Sequence, residues 1–317
     1  MIHELVEAQL SEFERSLSAE LRSDVAFIQA IGEDLVSAGG KRLRPTLAYL
    51  TSAMIGGAPE DATAVALAVE LLHSASLLHD DLIDDSATRR GSQSAFIRYG
   101  NVVSVMSGDF MLARVLGLLA RSGNVEFIAL MSRAAAALCE GEVLQFQVAT
   151  LQDWSYETYQ RVIEGKTAEL FAASTEGVGM LAGATPSQRT ALRDFGLAYG
   201  RAFQMRDDYL DLLGDASALG KPTGGDLREG KATHGVLQLL LDHHSEEARI
   251  IVNRHASADG DVDRIVKLIR DTGADAVSRA AIEAECLRAQ SALAAFPPSE
   301  ARDALLALVR AEAQRVA

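Results

Sequence analysis

The chain has 317 residues, 48% of them apolar, 23% charged and 5% aromatic, and its 44 acidic against 30 basic side chains give a net charge of −14. A chain this long and apolar can bury a substantial core, which excludes wholesale disorder and a disulfide-stapled miniprotein. The acidic balance argues against a nucleic-acid partner, which needs a basic face, so any anionic ligand must meet a local cluster of bases.

Only six prolines and few aromatics in a chain rich in Ala and Leu point to long helices. In the first forty residues Leu5, Leu10, Phe13 and Leu17, then Val25, Phe27, Ile28 and Ile31, recur at spacings near three and four, the pattern of amphipathic helices. Gly39-Gly40 breaks it. Pro45, a good first-turn residue, predicts a helix to about Ile55, closed by Gly56-Gly57-Ala58-Pro59. Thr63 to His79 is apolar on almost every face, which suits the centre of a bundle. Further helices are predicted over Val102–Leu119, Val125–Ala149, Tyr156–Leu181 and Pro186–Leu213. The glycine-rich stretch from Gly214 to Gly235 reads as a long loop, after which helices resume at Val236 and end with Ser299 to about Val316. No alternating run predicts strands, and one all-α domain spanning 1–317 is the simplest account.

Cys139 and Cys286 lie in helical stretches without CxxC spacing, so neither a disulfide framework nor a zinc site is expected. The first residues have no basic n-region before an apolar core, and no uninterrupted run approaches the roughly 18 apolar residues of a membrane span. A cytoplasmic setting is the expectation.

Two acidic clusters close otherwise apolar helices: His79-Asp80-Asp81-Leu82-Ile83-Asp84-Asp85 and Arg206-Asp207-Asp208-Tyr209-Leu210-Asp211. A spacing of four puts Asp80 with Asp84, and Asp207 with Asp211, one turn apart on one helix face. Either cluster alone is open to reading as a solvated face or a cap. Two copies 127 residues apart (207 minus 80) favour carboxylates that share a cation, and a few hard oxygen ligands suit Mg²⁺ completed by water and phosphate. Bases are placed as phosphate ligands would be. Lys41, Arg42 and Arg44 follow a glycine pair at a helix start, Arg89-Arg90-Gly91 follows the first acidic cluster, and Lys166-Thr167, Lys221 and Lys231 sit near Gly or Thr. His73 alone reads more readily as a hydrogen-bonded core histidine. No nucleophile–base constellation and no P-loop or Rossmann fingerprint is present.

Together, GGKRLRP (39–45), HDDLIDD (79–85) with RRG (89–91), GDF (108–110), CEGEVLQ (139–145), GKTAEL (165–170), FQMRDDYLD (203–211) and GKPTGGDLREGK (220–231) resemble the trans-isoprenyl diphosphate synthases of the polyprenyl synthetase family, over essentially the whole chain. The resemblance implies a single helical bundle with a deep central cavity, a homodimer, and Mg²⁺ ions, three per active site, on Asp80, Asp84 and Asp207, with Asp81, Asp208 and Asp211 in the same motifs. It implies that Arg89, Lys166, Thr167, Gln204, Lys221 and Lys231 hold an allylic diphosphate. Isopentenyl diphosphate would fall to Lys41, Arg44, His73 and Arg90. The reaction so implied ionises the allylic diphosphate to a carbocation that the alkene of isopentenyl diphosphate captures in a dry pocket, releasing pyrophosphate, a plausible base for the final proton. The positions that set product length in the family are occupied by Ser76 and Ala75, with Leu72 one turn below. Small residues there imply a long all-trans chain, of about six isoprene units or more, delivered to a membrane. A short-chain farnesyl or geranylgeranyl synthase is the alternative. A terpene cyclase and a non-catalytic regulatory subunit fit less well, because both Asp-rich motifs are intact and a second diphosphate site is present. Gln93-Ser94-Ala95-Phe96 and His234-Gly235 depart from the family's usual residues and leave the preferred primer open.

Overall fold

The structure, a computed structural model, describes residues 5–37, 39–84, 88–89, 92–214 and 223–314, without the side chains of residues 88, 89 and 92. Helices α1 (Glu7–Glu20), α2 (Ala26–Ser37), α3 (Leu43–Ile55), α4 (Pro59–Ile83), α5 (Ala95–Tyr99), α6 (Asn101–Ser122), α7 (Val125–Leu151) and α8 (Tyr156–Ile163) lead to a single π turn, Glu164–Ala168. There follow α9 (Glu169–Leu181), α10 (Pro186–Leu213), α11 (Gly225–Arg228), α12 (His234–Leu241), α13 (Glu246–Asn253), α14 (Asp261–Thr272), α15 (Ala274–Leu293) and α16 (Glu300–Gln314). Among the described residues the sole sheet is a two-residue antiparallel ladder pairing Thr88 with Gln93 and Arg89 with Ser92. The all-α expectation is met. Pro186 and Leu213 bound α10 as predicted, α4 extends four residues beyond each end of the predicted apolar stretch, and the predicted glycine-rich loop contains the single turn α11.

The chain divides into two compact units. The first comprises residues 1–135, 173–192 and 296–305, the second 136–172, 193–295 and 306–317. In the first, α4 packs against α1, α3 and α6. Its sequence dictates this central place, because Val65, Ala66, Ala68, Val69 and Leu71 are wholly buried on several faces at once. Pro59 at its start and Glu60 and Asp61 in its first turn suit the positive end of the helix dipole. In the second unit α12 packs against α13, α14 and α15 around Val236, Leu239, Ile251, Ile265 and Ile269. Phe171, Phe195 and Tyr199 form a second apolar cluster of that unit, Phe171 meeting Tyr199 edge-on at 5.3 Å.

By length and composition α4 and α6 match the apolar content of a membrane span, as buried core helices also do, and neither is an uninterrupted apolar run. In α4 67% of that window is buried in the protein. Cys139 is exposed and Cys286 buried, both as free thiols, and burial pushes the Cys286 thiol up to about 11.

Candidate active site

In the first unit the Asp-rich sequence falls at the C-terminal end of α4. Asp80 is half-buried, Asp81 buried, and Asp84 is the exposed C-cap whose N–H donates to Asp80 O at 2.8 Å. Carboxylates belong electrostatically at helix N-termini, so three at the negative end of the α4 dipole are a placement that a cation would favour. His79 is held on α6, its Nε2 3.2 Å from Val105 O and 3.6 Å from Asp109 Oδ1. A Cβ on Gly108 would lie 2.3 Å from that Nε2, which accounts for the glycine of GDF: it admits the imidazole that anchors the helix immediately before Asp80. By helical period Leu72, Ala75 and Ser76 share the His79 face of α4, toward α6. Leu72 and Ala75 are buried, and Ser76 bonds back to His73 O at 2.8 Å.

The opposite face of α4 borders a cavity of about 270 Å³ whose walls include His73, Glu70, Asp81, Arg42, Ser94 and Arg98. Arg42, the middle base of KRLR, adopts a left-handed backbone (φ 44°) and is consumed internally. It donates to Glu14 Oε1 at 2.6 Å and Oε2 at 3.1 Å and to Glu70 Oε1 at 2.7 Å, tying the glycine turn to α1 and α4. Lys41 on one side stays exposed and Arg44 on the other half-buried, while His73 reaches the cavity. Arg90, Lys221, Asp85 and the side chain of Arg89 lie outside the described residues.

In the second unit the π turn carries GKT. Gly165 backs onto α7, where a Cβ would meet Ala137 O at 2.5 Å, and a Cβ on Gly141 would meet Lys166 N at 2.6 Å. This backbone-to-backbone approach is open only to glycine, and it accompanies the extra residue that turns α-helical spacing into a π turn, a feature frequent at functional sites. Lys166 Nζ then reaches Glu142 Oε2 at 2.8 Å, and Thr167 Oγ1 donates to Gln204 Oε1 at 2.8 Å. Gln204 Nε2 continues to Asp208 Oδ1 at 2.7 Å, and Tyr159 O–H donates to Asp208 Oδ2 at 2.7 Å. Lys166, Gln204, Asp208, Tyr159, Asp226 and Lys231 line one cavity of about 110 Å³, closed on its apolar side by Val162 and Leu237. Lys231 Nζ pairs with Glu229 and lies 4.0 Å from Asp226. Asp211 accepts the Asp226 N–H at 3.1 Å, which brings Asp226 to the second motif. Tyr159, Glu142 and Asp226 are the residues sequence reasoning missed; Glu142, inside CEGEVLQ, and Asp226, inside GKPTGGDLREGK, carried a motif signal, and Tyr159 none.

Burial, then the charges of Asp226 and Asp207, push the Asp208 carboxyl up to about 7, against the opposing hydrogen bonds from Gln204 and Tyr159. A carboxyl raised in the fold binds its proton more tightly there than in the unfolded chain, so its contribution to stability is full below about pH 4 and is lost as pH rises through about 7. The expected result is that, with metal removed, wild type loses stability relative to Asp208→Asn over that interval; urea midpoints at pH 4.5 and 7.5 measure it. Crowded carboxylates at the negative end of α10 are what a hard divalent cation relieves. Among the described residues no three His, Cys, Asp or Glu side chains are gathered into a complete metal site. Each motif offers part of a shell, which fits an ion that retains waters and takes phosphate oxygens.

The family model described as polyprenyl synthetase matches residues 25–270. The chain belongs to the polyprenyl synthetase family. This polyprenyl synthetase is 35% identical over 316 residues to the octaprenyl diphosphate synthase of Escherichia coli, covering 99% of this chain and 98% of that one. A polyprenyl synthase from Caulobacter crescentus, solved with calcium and isoprenyl diphosphate, superposes with a TM-score of 0.92 at 37% identity, over 100% and 97% of the two chains. A decaprenyl diphosphate synthase from Rhodobacter capsulatus does so with a TM-score of 0.92 at 34% identity, over 100% and 98%. The polyprenyl synthetase is therefore a prenyltransferase with the all-α fold of the isoprenyl synthases, a class dependent on divalent metal.

Proposed function

We propose that this prenyltransferase condenses an allylic diphosphate with successive isopentenyl diphosphates in trans, giving a long all-trans polyprenyl diphosphate and pyrophosphate. The observation that carries the reading is the pair of Asp-rich sequences at the C-terminal ends of α4 and α10, each in a unit that also holds bases of the diphosphate-binding motifs: Lys41 and Arg44 in the first unit, and Lys166 and Lys231, which line one cavity with Asp208, in the second. Asp80 and Asp84 on α4, and Asp207 with Asp208 and Asp211 on α10, would hold Mg²⁺, about three ions in all. The chemistry the ions supply when bound is stabilisation of the negative charge on the departing diphosphate.

The chain's own side chains do the rest. Lys166, Lys231, Arg89 and Lys221 would bind the allylic diphosphate, and the Thr167–Gln204–Asp208 hydrogen-bond chain would orient its neighbours at the ionising C–O bond. Lys41, Arg44, His73 and Arg90 would hold isopentenyl diphosphate so that its alkene, not water, meets the cation. Ala75 and Ser76 leave room for a long product. The purified chain given Mg²⁺, an allylic primer and isopentenyl diphosphate is expected to release pyrophosphate and extend the primer, and EDTA should stop both. No prenyl product under these conditions would overturn the reading.

A homodimer is part of the proposal. Val102, Met106 and Leu116 are 77%, 51% and 67% exposed along one stripe of α6, and on α7 Val143 and Phe146 are 66% and 71% exposed. Apolar stripes of this kind mark protein interfaces. Sedimentation velocity is expected to give twice the chain mass, and a monomer at micromolar concentration would refute it.

A further inference from the structure

Arg206 immediately precedes Asp207 on α10. Its side chain is 1% exposed, whereas that of Asp207 is 42% exposed. Successive helix residues point about 100° apart and ordinarily do not meet. Here the guanidinium turns back to its neighbour: Nε donates to Asp207 Oδ1 at 3.1 Å, and NH2 donates to the same oxygen. NH1 pairs with Oε2 of Glu312 on α16. Glu312 is itself buried, and its other oxygen accepts the Tyr199 hydroxyl at 3.0 Å. The Phe203 ring lies 4.5 Å from the guanidinium carbon. A buried chain of Tyr199, Glu312, Arg206 and Asp207 thus ties the last helix to the second Asp-rich sequence.

We propose that Glu312 is a positioning residue for Asp207: it pins and neutralises Arg206, so that Asp207 keeps its negative charge for a divalent cation. The inference rests on the reading of Asp207 as a Mg²⁺ ligand. A guanidinium whose charge is balanced elsewhere can orient a carboxylate without competing for it. Deprived of Glu312, the buried Arg206 loses one of its two ion-pair partners among the described residues and leans on Asp207, and its less compensated positive field opposes an incoming cation there. Both Arg206 contacts fall on Oδ1 of Asp207, so the geometry already assigns one oxygen to the guanidinium.

The test titrates the full-length chain with MgCl₂ in the presence of inorganic pyrophosphate, following thermal midpoint and heat of binding. Glu312→Gln is expected to raise the Mg²⁺ concentration at half-effect roughly five- to tenfold, and in prenyl transfer to raise the Mg²⁺ requirement while leaving the rate at saturating Mg²⁺ within about twofold. Removing both charges, in Arg206→Met with Glu312→Met, is expected to restore the wild-type half-effect. Because breaking a buried pair can unfold a protein, Glu312→Asp, which keeps the charge but withdraws the carboxylate by one methylene, serves as the graded variant, with an expected rise of about two- to threefold. Asp207→Asn is the control for the underlying reading and should lose the Mg²⁺-dependent response. If the Glu312 variants titrate as wild type while Asp207→Asn loses its response, the role of Glu312 is overturned and Asp207 stands. If Asp207→Asn also titrates as wild type, both fall.

Discussion

Alanine at Asp80 or at Asp207 is expected to lower prenyl transfer by at least a hundred- to a thousandfold, the scale on which loss of one group stabilising the leaving charge acts. The physical reason is that each carboxylate lies in the last two turns of its helix, on the side of the dipole that disfavours negative charge, where a bound cation is stabilising. Asp80 lies in the last turn of α4, and the N–H of Asp84 closes that turn on the Asp80 carbonyl, a backbone bond that alanine keeps. Removing the Asp80 charge therefore leaves the backbone of the turn in place and is expected to keep the protein folded. Loss of activity without loss of fold separates a ligand from a structural residue. Steady-state rates with calorimetric midpoints measure both, and near-full turnover in either variant would refute a metal role for that motif.

Tyrosine at Ala75 is expected to shorten the product by several isoprene units while leaving the first condensation intact. Ala75 is 1% exposed on the α4 face that carries Leu72, Ser76 and His79 toward α6. A tyrosine ring must either displace neighbouring side chains or fill space that a growing chain would use. Overpacking alone would lower stability and rate for every product alike. A blocked channel instead redistributes products toward short chains at a preserved rate of primer consumption. Ala75→Val, a smaller step, should shift the distribution in the same direction by less. Mass spectrometry of the extended products decides, and an unchanged length distribution in a folded Ala75→Tyr protein would place the floor elsewhere.

Much of the fold was readable along the chain. Apolar residues on every face of 63–79 predicted a central helix, and Pro186 and Leu213 bound α10 as read, because proline pre-sets a first turn and periodicity needs no partner. The region read as one helix from Tyr156 to Leu181 is interrupted at Glu164–Ala168. Apolar spacing cannot reveal a π turn set where Gly165 and Gly141 bring two backbones together from distant parts of the chain. In KRLR, the three bases within four residues looked alike. Only tertiary structure shows Arg42 spent on Glu14 and Glu70.

The residue types of the site were set by the sequence alone: seven aspartates in two clusters, six of them read as metal residues, glycine-flanked bases, and small side chains at 75 and 76. These follow from local chemistry, since charge, size and helical spacing are properties of a residue and its near neighbours. The tertiary structure decided the partners. Tyr159 meets Asp208 across 49 positions, and the Glu142 carboxylate holds Lys166 across 24. Glu312 holds Arg206 from the last helix. Such pairs join residues with no local signature, because a buried charge takes whichever opposite charge the packed helices bring within reach.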